Sequence, residues 1–349
     1  MSPSLSPTVA EIRAALLENP KLREKDLSQK IGISEAQLIA AQVGLKAIRI
    51  DAHPDRLIPA VCTFGEVMAL TRTGDCVHEK IGTYDNYHPG KHAAMTLTEH
   101  IDLRIFPAQW VYAFAVIKEK DTGTQRSLQV FDAAGDAVHK IFLRAQSDIA
   151  AFERAVATLR MDNDAQTLEV SQRKAPEPPK SDPAKAENLR AQWDQMTDTH
   201  QFLKLCSKLK MNRLGAYRIV GAPHARELDP SAANEMLYKV RDSGLEVMLF
   251  VGNKGCIQIH TGSLKNLREM GPWQNVMDPD FNLHLRLDTV AEVWAVTKPT
   301  QRGPAVSLEA FDAQGALIFQ VFGVGKEGRN TRATWGALVG TLKPARIAA

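Results

Sequence analysis

Two stretches of the chain carry residues whose chemistry packing alone does not explain. In MTDTHQFLKLCSKLKMNR, Phe202, Leu205, Cys206 and Leu209 recur at the i, i+3, i+4, i+7 spacing of a buried helical face. Asp198 and Gln201 read as a capping-box start for that helix. Successive residues turn by about 100°, so His200 lies about 160° around from Phe202 and faces away from its own core. In the first turn the helix dipole disfavours an imidazolium and keeps a ring nitrogen lone pair available. That chemistry is metal ligation; the other reading is a solvated or N-terminal capping histidine. In EHIDLRIFPAQW, Ile101, Leu103 and Ile105 alternate onto one strand face, with Asp102, Arg104 and Phe106 on the other. Taken alone, Arg104 beside Asp102 is a local ion pair two residues apart.

The elements that must position these residues are written twice. SLQVFDAAGDAVHKIF from Ser127 returns as SLEAFDAQGALIFQVF from Ser307, repeating Ser, Leu, Phe, Asp, Ala, Gly and the closing Phe without a gap. The same offset sets EVMALTRTGDCVHEKIG over EVMLFVGNKGCIQIHTG, IDLRIF over FNLHLR and FAV over WAV. Near the start, DLSQKIGISEAQLIAAQVG pairs with FLKLCSKLKMNRLGAYRIVG at a slightly smaller offset. Two copies of roughly 160 to 170 residues make two homologous domains rather than a solenoid. Proline and charge crowd out apolar residues in SQRKAPEPPKSDPAKAE, so the expected organisation is a first repeat over 1–170, an exposed linker over 171–187 and a second repeat over 188–349.

Each repeat reads as a helical opening, a run of alternating strands with short turns, and a closing helix, at 146–162 and 330–342. In the first copy the strands are VCTFGEVMALTRTG, CVHEKIGTY, HIDLRIF, WVYAFAVIKE and the two arms of SLQVFDAAGDAVHKIF, with a turn at Ala134-Gly135. The expected fold class is α+β: a tandem structural repeat, each half a large antiparallel β-sheet with flanking helices.

Bulk composition narrows the function classes. At 44% hydrophobic and 24% charged, the 349 residues suit soluble globular domains. A net charge of +3 gives no general polyanion-binding surface. The amino terminus MSPSLSPTVAEIRAALLENP lacks an apolar core flanked by cations, and the longest apolar run, WVYAFAVI, is too short to cross a bilayer, so a cytoplasmic location is expected. Cys62, Cys76, Cys206 and Cys256 lack CxxC spacing and read as buried reduced thiols. Trp110, Trp273, Trp294 and Trp335 are assigned to cores. Residues 26–44 have a helix-turn-helix look, with Gly32 at the turn and Ser34 as cap, but SEAQLIAAQVG has no Arg or Lys for phosphates or guanine, so nucleic acid is not an expected partner. FGVGKEG lacks the spacing of a phosphate loop and reads as a turn.

Positions shared by the copies describe packing, so function is sought where they differ. At those positions the chain resembles the HemS-type cytoplasmic haem-utilisation proteins, the haemin-degrading factors or haem-transport proteins of bacterial haem uptake. The resemblance spans nearly the whole chain and rests on TDTHQF, EVMLFVGNKGC, IDLRIF followed by QW, KPT and SLEAFDAQG. It implies haem b in a cleft between the halves, His200 as the axial iron ligand below it and Arg104 on the distal side above it. It further implies propionate contacts from Arg213 and Lys298 and a haem-facing Phe250. Lys118 recurs at the first-copy position of Lys298, which leaves a purely structural role for Lys298 open. The chain departs from relatives at Phe322, where they place a haem-contacting tyrosine, and at Gly325, where some have arginine; Lys326 is the candidate substitute cation.

Arginine offers donors but no lone pair, so Arg104 cannot ligate iron; it can donate to a distal water, hydroxide or dioxygen. An exchangeable sixth position serves two jobs. The first is a cytoplasmic carrier that receives imported haem and passes it on for iron acquisition, with a haem oxygenase or the cytoplasmic side of a haem importer as partner. The alternative is a haem-degrading, oxygenase-like enzyme in which Arg104 is the distal catalytic residue. Its external reductant and O2 come from outside, since the chain shows no dinucleotide fingerprint or paired cysteines. In YDNYHPGKH, Pro89-Gly90 breaks any helix that would align His88 with His92, which leaves a loop with stray histidines or a transient secondary haem or metal contact.

Overall fold

The structure, a computed structural model, describes residues 6–326 and 328–345. Residues 1–5 of the amino-terminal stretch and Glu327 of the 322–328 turn lie outside the described residues.

The first repeat opens with α1 (Val9–Glu18), α2 (Glu24–Lys30) and α3 (Glu35–Ala40). It continues through β1 (Ala47–Ile50), α4 (Pro54–Val61), β2 (Glu66–Arg72), β3 (Cys76–Thr83), β4 (Tyr87–His88), β5 (Ala94–Leu97) and β6 (Asp102–Ile105). Strands β7 (Tyr112–Lys120), β8 (Gly123–Phe131) and β9 (Ala137–Leu143) follow, and α5 (Ile149–Leu159) closes it. Strand β1 pairs with β7, β7 with β8, β8 with β9 and β9 with β2, all antiparallel. IDLRIF sits apart from that meander, on β6, which pairs with β5 as β5 does with β4.

The second repeat has helices α6 (Ala186–Asp194), α7 (Gln201–Lys208), α8 (Arg213–Val220) and α9 (Ala232–Ser243), with β10 (Ala225–Leu228) between the last two. Its strands are β11 (Val247–Gly252), β12 (Cys256–Gly262), β13 (Leu267–Met270), β14 (Trp273–Met277), β15 (Phe281–Arg286), β16 (Glu292–Lys298), β17 (Ala305–Phe311) and β18 (Leu317–Gly323). The short β19 (Gly325–Lys326) and β20 (Arg329–Asn330) precede α10 (Arg332–Gly340). The pairing repeats: β10 with β16, β16 with β17, β17 with β18, β18 with β11, and separately β13 with β14 and β14 with β15.

By contacts the chain divides into two compact units, residues 1–72, 79–174 and 252–258 in one, and 73–78, 175–251 and 259–349 in the other. The thiol of Cys76 is buried in the second unit's core and that of Cys256 in the first's.

Several local expectations are revised. The strand read from Val61 begins at Glu66, because Pro54 at the first helical position and buried Leu57, Ile58 and Val61 make 54–61 a helix, which ends before Gly65 at φ 70°. Ser34 does cap α3, in a reciprocal box with Gln37, but Glu35, Ala36, Leu38, Ile39 and Ala40 are buried, so α3 is a core helix rather than a free recognition helix. Cys62 and Trp273 are only half-buried, the first at the end of α4 and the second on β14 under the Arg286 guanidinium. The 171–187 segment is mostly exposed yet tethered: Lys180 exchanges hydrogen bonds of 3.0 and 3.1 Å with Asn212. Only glycine fits at 215 beside it, since a Cβ there would fall 1.9 Å from the Lys180 carbonyl oxygen.

Candidate functional site

His200 is the N-cap of α7 and its side chain is 93% exposed. The expected capping box is not formed. Asp198 instead folds back on His200: its Oδ1 accepts from the His200 backbone N–H at 2.7 Å and lies 2.6 Å from Nδ1. Those two hydrogen bonds hold the Asp198 carboxyl below its ordinary range, so it stays an acceptor. An acceptor at Nδ1 assigns the ring proton there and leaves the Nε2 lone pair facing outward, the arrangement by which a carboxylate orients a ligating histidine.

What fixes His200 in space is the opposite face of its helix. Phe202, Leu205, Cys206 and Leu209 are buried, and the Phe202 ring meets Trp193 edge-on at 4.8 Å and stacks on Tyr217 at 5.4 Å. Above the same ring sit the charges of Lys298 at 4.8 Å and Arg213 at 6.0 Å.

Arg213 and Lys298 converge on a residue not singled out from sequence, Glu309. Arg213 Nη1 donates to Glu309 Oε2 at 2.7 Å, and Lys298 Nζ donates to Oε1 and to the Tyr217 hydroxyl, each at 3.0 Å. Ser307 adds a bond of 2.8 Å to Oε1. Burial raises the Glu309 pKa, but Lys298 and Arg213 outweigh it and hold the carboxyl well below its usual range. Burial likewise lowers Lys298, against the pull of Glu309. The group keeps one net positive charge, and Arg213, with 23% of its side chain exposed against 4% for Lys298, presents it to solvent. The missed signal was a difference between copies, since the first repeat has Gln129 at the position of Glu309. Lys118 also lies in an ion-pair group, with Glu24, Lys140, Glu35 and Arg72.

Register places the aromatic candidates on the same sheet face as this group. Trp294 pairs with Glu309, Glu309 with Gln320 and Gln320 with Phe250; in the next row Val296 pairs with Ser307, Ser307 with Phe322 and Phe322 with Met248. Cross-strand partners share a face. Helices α6 to α8 cover the Trp294 and Val296 end of both rows, while Met248, Phe250, Gln320 and Phe322 remain half-buried. Phe250 and Phe322 meet edge-on at 5.4 Å. Lys326 is exposed on β19, and a Cβ on Gly325 would fall within 2.5 Å of the Arg332 guanidinium, which occupies that space.

Arg104 belongs to the first unit. Ile101, Leu103 and Ile105 are fully buried, and Arg104 turns to the other face with a third of its side chain exposed. Its Nη1 bonds Asp102 and, at 3.0 Å, the Leu103 carbonyl, so the local ion pair is present and the remaining guanidinium donors are spare.

Among the described residues no cluster of three or more His, Cys, Asp or Glu could hold a bare metal ion, and no helix is long and apolar enough to cross a membrane.

Comparison with known proteins agrees along nearly the whole chain. It is 37% identical over 336 residues, 96% of this chain and 97% of the relative, to the hemin transport protein HemS of Yersinia enterocolitica. The crystal structure of holo-PhuS, a heme-binding protein from Pseudomonas aeruginosa, superposes with a TM-score of 0.92 at 39% identity, covering 97% of this chain and 100% of that one. ChuS, an E. coli heme oxygenase, superposes at 0.85 with 32% identity, over 95% and 99% of the two chains. Residues 32–159 and 210–342 each match the haemin-degrading HemS.ChuX domain, and the chain belongs to that family.

Proposed function

We propose that this protein binds haem in the cytoplasm and traffics it for iron acquisition, with His200 as the axial iron ligand. The observation that carries the reading is the exposed His200 ring, its Nδ1 held by Asp198 and its Nε2 lone pair outward. A haem site needs such a ligand, apolar contact for the porphyrin and cations for the propionates. Phe250 and Phe322 supply apolar surface on one sheet face. Arg213 offers spare guanidinium donors, with Lys298 beneath it adding charge at the same place. Arg104 is assigned to the distal side, where it donates to water or dioxygen and leaves the sixth position exchangeable. Relatives named as a hemin transport protein and a heme-binding protein support the carrier reading.

The similarity to ChuS, an E. coli heme oxygenase, supports a second reading in which haem is substrate. In that case Arg104 orients dioxygen on the distal side, and the electrons come from an external reductant.

The test is haemin titration followed by Soret absorbance. Wild type gives a saturable 1:1 complex and His200→Ala weakens or relocates it. Arg104→Ala keeps the complex and changes the distal ligand. Unchanged spectra in both variants overturn the assignment. Ascorbate in air, with catalase removing free peroxide, separates the readings: loss of the Soret band with one tetrapyrrole product means degradation, and a lasting complex that passes haem to an acceptor means carriage.

A further inference from the structure

The histidines of YDNYHPGKH acquire a place only in the folded chain. His88 on β4 pairs with Met95 on β5, and Met95 pairs with Arg104 on β6. Directly paired residues of adjacent antiparallel strands project to one face about 4.5 to 5.5 Å apart. His88, Met95 and Arg104 therefore form a row across this three-stranded ribbon. The neighbouring row, Tyr87, Thr96 and Leu103, turns the other way, where Thr96 and Leu103 are fully buried. So the His88 row is the outward one: His88 is exposed, and Met95 and Arg104 are half-buried.

The strand that carries His88 is held in place. The Tyr87 hydroxyl donates to Asp55 at 2.6 Å, and Asn86 exchanges hydrogen bonds of 3.1 and 3.3 Å with Leu97. The turn beyond His88 is tight enough to demand glycine, because a Cβ at Gly90 would lie 2.1 Å from the Ala93 carbonyl oxygen. His92, in the same turn, is exposed but falls outside the row.

The duplication supplies an independent comparison. The second repeat has the same three-stranded register, with Arg268 paired to Asn275 and Asn275 to His284. There the row is polar and internally bonded: His284 Nδ1 lies 2.6 Å from Asn275 Oδ1, and Asn275 Nδ2 donates to the Arg268 carbonyl at 3.0 Å. All three positions differ in kind between the copies. Where one has Arg, Asn and His, the other has an exposed imidazole, a thioether and a guanidinium.

We propose that His88 is a second haem-iron ligand and that the His88–Met95–Arg104 row is a docking strip for haem in transit. This rests on the haem-binding reading above, whose distal residue, Arg104, ends the strip. A neutral imidazole is a haem-iron ligand, and a thioether is a soft, polarisable contact for a porphyrin or a weak axial donor. A carrier that moves iron from one imidazole to another avoids releasing the apolar porphyrin into water.

The test uses the full-length protein with haemin as probe and follows Soret and resonance Raman signatures of ligation, with stopped-flow delivery to apomyoglobin. The expected result is that His200→Ala keeps a weaker, histidine-ligated complex, which His200→Ala/His88→Ala loses. His88→Ala alone keeps the equilibrium complex but delivers haem several-fold more slowly, and His92→Ala behaves as wild type. Identical spectra for His200→Ala and the double variant, with unaltered delivery by His88→Ala, overturn the strip while leaving His200 standing. Equal effects of His92→Ala and His88→Ala overturn the register argument. A wild-type protein that binds no haemin defeats the haem reading and the strip together; a His200→Ala protein indistinguishable from wild type defeats the His200 assignment alone, and loss of the complex in the double variant then still supports the strip.

Discussion

His200 shows how little of a ligand's chemistry resides in the ligand alone. Its exposure makes it reachable, but the Asp198 carboxylate 2.6 Å from Nδ1 decides which nitrogen carries the proton. Asp198→Asn keeps the shape and an acceptor oxygen but removes the charge, so the hydrogen bond that orients the ring weakens while α7 keeps its buried face. Haemin affinity is expected to fall by about 10- to 100-fold, as for other outer-shell partners of ligating histidines, with an unchanged far-ultraviolet circular dichroism spectrum. Equal affinities in a Soret titration would assign Asp198 to the turn alone. At Arg104 the same logic runs in reverse, since Asp102 engages one guanidinium nitrogen and leaves the others as donors.

At the scale of elements, a buried charge group ties the helix that carries Arg213 to its sheet. Glu309 is fully buried between Lys298 and Arg213, which attach α8 to β16 and β17. Glu309→Gln leaves two cations without their counter-charge and should cost about 3–5 kcal/mol, read as a shift of the urea midpoint. Because the Glu309 carboxyl is held below its ordinary 4.5, its contribution is complete above that pH and fades as pH falls through the depressed value. The variant should therefore lose less stability than wild type on acidification below that point. His139 gives a second acid limb by a different cause. It is buried against Thr71 at 2.8 Å and Tyr84 at 2.5 Å, and burial pushes its pKa from 6.5 down to about 3. The unfolded chain protonates this ring first, so stability present above 6.5 is lost as pH falls toward about 3. Replacing it by His139→Gln should reduce the slope of stability over that window by about 1.4 kcal/mol per pH unit, measured by urea unfolding at stepped pH.

For the whole molecule, duplication and compactness follow different boundaries. Residues 73–78 count with the second unit and 252–258 with the first, so a cut within 171–187 gives each half a segment that belongs to the other's core. Residues 1–174 and 175–349 expressed singly are expected to aggregate or unfold with broadened transitions, and co-expression should restore a sharp one; two soluble, cooperatively folding halves would refute this. The repeat, the α+β class, the buried stripe of α7 and the outward turn of His200 were legible in the sequence, because helix and strand periods are local and a gapless repeat needs no structure to be seen. The strand read from Val61 starts five residues too early, since Val61 closes helix α4 and the strand begins at Glu66, because short apolar runs fit either period. The convergence of Arg213 and Lys298 on Glu309 and the His88–Met95–Arg104 row were decided only by tertiary structure, while the Asp198 clasp on His200, two residues apart, was set by the local turn. The first two depend on side chains brought together across the fold, distances that residue order does not encode one position at a time.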